Sequence, residues 1–174
     1  MIAGTNSGCG KTTVTCAVLQ ALVNRKINVS SFKCGPDYID PMFHKTVIGT
    51  AAYNLDTYLM SNDAVNYLLN KNSGDIAVIE GVMGFYDGFS FTEKGSTHEL
   101  SEITDTDVIL VVNCRGMSLS AMALVKGFKE FRKNNIKGVI FNNLSEKMYG
   151  NLAEKCRKIG LTPLAFCRIS KMCR

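Results

Sequence analysis

A chain of 174 residues with 46% hydrophobic and 20% charged side chains is one domain's worth of globular protein, long enough to bury a core without metals or disulfides. Its 20 basic and 15 acidic residues leave a net charge of +5 with no block of five like charges, which argues against a nucleic-acid-binding tail. Seven cysteines at irregular intervals, without a C-x-x-C, point to reduced thiols in a cytoplasmic protein rather than a zinc site, and no apolar run is long enough to cross a membrane.

Residues 1–3 are the stub of a first strand. After a glycine-rich loop, Val14, Ala17, Val18, Ala21 and Leu22 recur at the spacing of one helix face. A second strand covers 29–33 and runs into a long polar connection, 35–62. A helix over about 63–71 turns Val65, Leu68 and Leu69 inward, and "DIAVIEG" is a third strand ending at Glu80. A second polar connection covers 81–98, where Ser96 and Glu99 form a capping box that starts another helix. "DVILVVNC" is a fourth strand, apolar on both faces as in a covered parallel sheet. A helix over about 120–134 carries Ala121, Leu124, Val125, Phe128 and Phe131 inward. "GVIFNN" is a fifth strand, a helix over about 147–159 is capped by Gly160, and "PLAFC" is a short sixth strand.

Strands alternating with helices predict an α/β fold: a P-loop NTPase-like, doubly wound, mostly parallel sheet with helices on both faces and ligands at the carboxyl ends of its strands. The second strand is expected beside the first. Both long connections open on that edge, where connections of such length are usually functional.

"GTNSGCGKTT", between a strand and a helix, is a phosphate-binding loop. Its backbone N–H groups and the helix N-terminus attract phosphate oxygens, Lys11 reaches the outer phosphates, and Thr12 ligates magnesium. Thr5, Asn6, Gly8, Cys9, Gly10, Lys11, Thr12 and Thr13 form the predicted nucleotide contacts. Thr5 stands where the common pattern has its first glycine, because Gly4 lies one position too early.

Glu80, at the tip of a buried strand, is the expected magnesium acid. Asp87 follows in a glycine-rich loop, as a site acid or as a turn former. Lys33, Asp37 and Asp40 emerge from the second strand on a bend stiffened by Pro36 and Pro41. Lys33 would stabilise a transferring phosphoryl group, while Asp37 and Asp40 bind a second magnesium or orient the acceptor; Asp40 before Pro41 is also a fair helix N-cap. Asn142 and Asn143, ending the fifth strand, read an adenine edge or make a turn. Arg115 faces the site or solvent. His44 lies in the acidic bend.

"GTNSGCGKTTVT", "FKCGPDYIDPMFH", "NLDTYLM" and "IEGVMGFYDG", in this order, resemble the ATP-binding domain of the cobyrinic acid a,c-diamide synthases, glutamine-dependent amidoligases of cobalamin biosynthesis. "GPDYIDPMFH" is the more specific stretch. The phosphate loop is shared with dethiobiotin synthetase and with the MinD and ParA ATPases, which carry a signature lysine where this chain has Asn6.

The resemblance implies ATP and Mg2+ as cofactors, and a tetrapyrrole whose a and c acetates become acyl phosphates for amidation. Tyr38, Asp40, His44 and Asp87 would lie near that substrate, and Lys11, Lys33, Asp37, Asp40 and Asp87 would serve catalysis. It also implies a glutaminase domain beyond this chain, whose residues 1–174 read as the synthetase domain of a longer protein. Nickel sirohydrochlorin is an alternative substrate within the same family, and a MinD/ParA-like switch ATPase an alternative class. Neither nucleic acid nor membrane is an expected partner, and a homodimer is compatible with the sequence.

Overall fold

The structure, a computed structural model, describes residues 1–168. The terminal part of "RISKMCR", including Cys173, lies outside the described residues. The chain runs β1 (Ile2–Gly4), α1 (Lys11–Asn24), β2 (Val29–Cys34), α2 (Ile39–Phe43), a π-helical turn (His44–Ile48), β3 (Ala51–Leu55), α3 (Asn62–Asn72), β4 (Ile76–Glu80), α4 (Thr97–Ile103), β5 (Val108–Asn113), α5 (Ser120–Phe131), β6 (Ile136–Asn142), α6 (Glu146–Lys158) and β7 (Thr162–Phe166).

The strands form one seven-stranded sheet in the order β3-β2-β4-β1-β5-β6-β7, with every described pair parallel. Two expectations are corrected here. The connection 35–62 is not a long loop: it contains α2, the π turn and β3, whose "AAYNL" escaped notice because an edge strand with one neighbour and half its residues in solvent needs no apolar run. Nor does the second strand lie beside the first, because β4 separates them, pairing Val29↔Ile76 through Lys33↔Glu80 with β2 and Ile2↔Glu80 with β1.

Strand parity sorts side chains between two cores. Phe32, Ile79, Leu110, Val112, Val139 and Phe141 enter one cluster with Val65 of α3, Leu100 of α4, Val125 of α5 and Leu152 of α6. Ile2, Val29, Val78, Val111 and Ile140 face the other way onto Val14 and Leu19 of α1 and onto Ile48. The α1 stripe is rotated from the expected one: Val14, Thr15 and Leu19 are buried while Ala17 and Ala21 are exposed. Lys11, at the start of the same helix, is buried as well. Helix α5 stops at Phe131, whose ring is largely exposed and lies 5.1 Å from that of Tyr86.

Parity also decides the site. Ser31 and Lys33 alternate with Phe32 and Cys34, and Glu80 alternates with Ile79, so Ser31, Lys33 and Glu80 all lie on the α1 face at the carboxyl edge.

Candidate functional site

The phosphate loop leaves β1 at Gly4 and enters α1 at Lys11. A Cβ on Gly4 would stand 2.3 Å from Cys9 Sγ and 2.9 Å from Lys11 Cγ, so the loop closes only over glycine. Gly8 and Gly10 take φ of +74° and +106°, and the Cβ direction of Gly8 opens into free space where a phosphate can approach. The Lys11 ammonium curls back over the loop, donating to Asn6 O at 3.1 Å and to Met83 O at 2.5 Å in the connection after β4. Thr5 Oγ1 donates to Asn6 Oδ1 at 2.9 Å; Thr12 and Thr13 stand exposed at the helix start.

Beside this loop, Lys33 and Glu80 face each other in register across β2 and β4. Lys33 Nζ lies 3.0 Å from Glu80 Oε1, 2.5 Å from Asp40 Oδ2 and 3.6 Å from Asp37 Oδ2. Glu80 Oε1 also accepts from Thr12 Oγ1 at 2.6 Å, which ties the strand acid to the phosphate-loop helix. Burial disfavours the Lys33 ammonium, yet the charges and hydrogen bonds of Glu80 and Asp40 outweigh it and hold its pKa above the ordinary lysine value. Burial pushes the Glu80 carboxyl up further than Lys33 and Thr12 pull it down. Burial works upward on Asp40 too, but the Lys33 bond and charge bring its pKa below the ordinary carboxylate value.

The acidic bend is built locally. Asp37 Oδ1 accepts from the Ile39 N–H at 2.9 Å, starting α2, and the Asp37 carbonyl receives Asn54 Nδ2 at 2.8 Å from β3, the strand the sequence did not show. The bend is thereby moored to the sheet edge, with Asp40 turned in to Lys33. Tyr38 is 83% exposed. Asp87 is exposed and accepts from the Gly84 N–H at 3.0 Å, closing a turn that packs against the phosphate loop through Thr5 O.

Two placements differ from the sequence reading, and a third settles between its alternatives. Asn142 does not offer its amide to a base: Nδ2 donates to Cys9 O at 2.9 Å and Oδ1 accepts from Asn143 N, so it buttresses the phosphate loop. His44 is fully buried behind Glu80, away from any surface a substrate could touch. Arg115 stands exposed beyond β5. Asn54 and Ser31, which the sequence reading passed over, carried no local signal that could have found them.

Residues 1–166 match the family described as the CobQ/CobB/MinD/ParA nucleotide binding domain. The chain belongs to this family. Among proteins similar to this CobQ/CobB/MinD/ParA domain is the cobyrinate a,c-diamide synthase of Thermoplasma volcanium, 47% identical over 157 residues, covering 89% of this chain and 35% of that protein. The cobyrinate a,c-diamide synthase of Priestia megaterium is 44% identical over 158 residues, covering 88% of this chain and 34% of that protein. The chain thus spans about a third of the length of the curated relatives it matches. The signal recognition particle receptor FtsY of Elizabethkingia anophelis superposes with a TM-score of 0.70 at 12% identity, over 99% of this chain and 59% of that one, a likeness of fold alone.

As a CobQ/CobB/MinD/ParA domain the chain is a nucleotide-binding module, and its residues also fit magnesium. Thr12 Oγ1 and Glu80 Oε1 are hard oxygen donors 2.6 Å apart. Among the described residues no group of three or more His, Cys, Asp or Glu side chains could hold a metal ion unaided, so an ion here would draw its remaining ligands from phosphates and water, as magnesium does at nucleotide sites. Among the described residues no helix is long and apolar enough to cross a membrane.

Proposed function

We propose that this domain is the ATP-dependent synthetase half of a glutamine-dependent amidoligase acting on the a and c acetate carboxylates of cobyrinate. Two relatives of that name, similar over most of this chain, support the reading. The observation that carries it is Lys33, 5% exposed and held between Glu80 and Asp40 at the mouth of the phosphate loop, a buried cation beside the predicted γ-phosphate position.

A carboxylate is a poor electrophile, so amide formation needs activation. A carboxylate oxygen attacks the γ-phosphorus of ATP, the bond to the β,γ-bridging oxygen breaks, and ADP leaves with the electron pair. Ammonia, supplied from glutamine by a second domain, then attacks the acyl carbon, phosphate departs, and nitrogen loses a proton. Lys11 and Lys33 offset the charge on the transferring group, the preorganised electrostatics on which phosphoryl transfer depends. Asp40 and Asp37 hold Lys33 in place and face the acceptor side together with Tyr38 and Asp87. Bound through Thr12 and Glu80, magnesium would neutralise phosphate charge. A cleft of about 300 Å³, lined in part by Gly35, Pro36, Tyr58, Val82, Met83 and Phe89, opens just past the tips of β2 and β4 and offers apolar walls to part of a macrocycle.

The test is product mass. With ATP, magnesium and ammonium, and with the glutaminase domain of a relative joined to the chain, cobyrinate should gain two amide nitrogens; nickel sirohydrochlorin serves as the competing substrate. Lys11→Ala should lower turnover on the order of 100-fold or more. ATP consumption with no amidated tetrapyrrole would refute the proposal.

A further inference from the structure

We propose that His44 is a positioning residue for Glu80: a donor held behind the carboxylate that keeps its other oxygen turned toward Thr12 and the magnesium of a bound nucleotide. The inference rests on Glu80 as the metal-facing acid of the function proposed above.

His44 opens the π-helical turn after the acidic bend, a rare geometry that recurs near functional sites. Its ring is fully buried and held from both ends. Nδ1 lies 2.8 Å from Ser31 Oγ, while Nε2 lies 3.6 Å from Cys16 Sγ and 3.7 Å from Glu80 Oε2. Among the described residues, the ring is the hydrogen-bond partner of the Ser31 hydroxyl, which has one proton to give. Donating it makes Nδ1 the acceptor and leaves the ring proton on Nε2. The opposite tautomer would set a lone pair against a carboxylate.

The carboxylate side shows the matching need. Oε1 receives both Thr12 and Lys33, whereas Oε2 is buried and has no hydrogen-bond partner among the described residues. Nε2 makes its hydrogen bond with Cys16 Sγ, and at 3.7 Å its contact with Glu80 is a charge–dipole interaction beside that bond, directed at the Glu80 oxygen that has no hydrogen-bond partner among the described residues. The Ser31–His44–Glu80 line therefore has the form of the outer shell behind a metal ligand, in which a donor fixes the ligand's orientation.

Binding of a non-hydrolysable ATP analogue, titrated against magnesium, tests the idea without turnover. In the unaltered chain magnesium should tighten binding, and Glu80→Gln should abolish that gain. His44→Asn, which keeps a donor only on the Ser31 side, should raise the magnesium concentration needed roughly 10- to 100-fold. Its magnesium-free affinity should be unchanged. His44→Gln, with an amide donor near the Nε2 position, should recover most of the loss. Nitrogen-15 spectra of the ring should show the proton on Nε2, and Ser31→Ala should relax that preference. An unchanged magnesium requirement in a folded His44→Asn protein overturns the proposal while leaving Glu80 in its role. Equal losses with and without magnesium, unrescued by glutamine, or a proton on Nδ1, also overturn it. If magnesium does nothing for the unaltered chain, the assignment of Glu80 falls as well.

Discussion

Replacing Lys33 with methionine keeps the length of the side chain and removes only its charge. Glu80 would then be fully buried with Thr12 alone as donor, and Asp40 would lose its 2.5 Å partner. Breaking a buried pair by removing one member costs about 3–5 kcal/mol, because the remaining charge is stranded. Asp40 keeps 19% of its side chain exposed and can turn to water, so the lower end applies, about 3 kcal/mol. For a chain of this size that lowers the melting temperature by roughly 6–12 °C.

The pH dependence discriminates further. Without Lys33, the folded-state pKa of Glu80, which burial already holds above its unfolded value, rises further. Such a group favours the folded state below the unfolded pKa and loses that contribution as pH rises, so the deficit of Lys33→Met should be widest at neutral pH and shrink toward pH 4. Thermal unfolding followed by circular dichroism at several pH values measures both. A variant that melts with the unaltered chain, or whose deficit grows in acid, would refute the stranded-charge argument.

Gly4→Ala puts a methyl group against Cys9 Sγ and the Lys11 stem, and overpacking of this kind typically costs about 1–3 kcal/mol. Nucleotide affinity should fall with it, as calorimetric titration would show. Burial pushes the Cys34 thiol up to about 12 and those of Cys114 and Cys156 up to about 11, so a thiol reagent at pH 8 should leave these three unlabelled until the chain unfolds, as peptide mass would report.

The parts of this domain that follow from local chemistry were legible in its sequence. Glycines that admit positive φ, a lysine before a helix, and apolar runs ending in Lys33 and Glu80 each carry their own signal. What was hidden depends on partners far along the chain. Strand β3 could not be recognised from "AAYNL", since its place comes from β2, and its Asn54 moors Asp37. The insertion of β4 between β1 and β2 is a matter of crossover, on which periodicity is silent. Asn142 looked like a base reader or a turn because nothing local announces that its amide meets Cys9, 133 residues away. His44 looked solitary for the same reason.

The pairing of Lys33 with Glu80 in the β2–β4 ladder makes main-chain hydrogen bonding the gauge for the chemistry at the sheet edge. Side chains alternate between faces at every step, so a slip of one residue would send the lysine into the opposite core and strand the glutamate. Forty-seven positions apart in sequence, the two charges meet only once distant parts of the chain have docked. A partly folded chain would therefore lack this paired centre, and the phosphate loop would still want its Asn142 buttress, so competence would arrive late, together with the completed sheet.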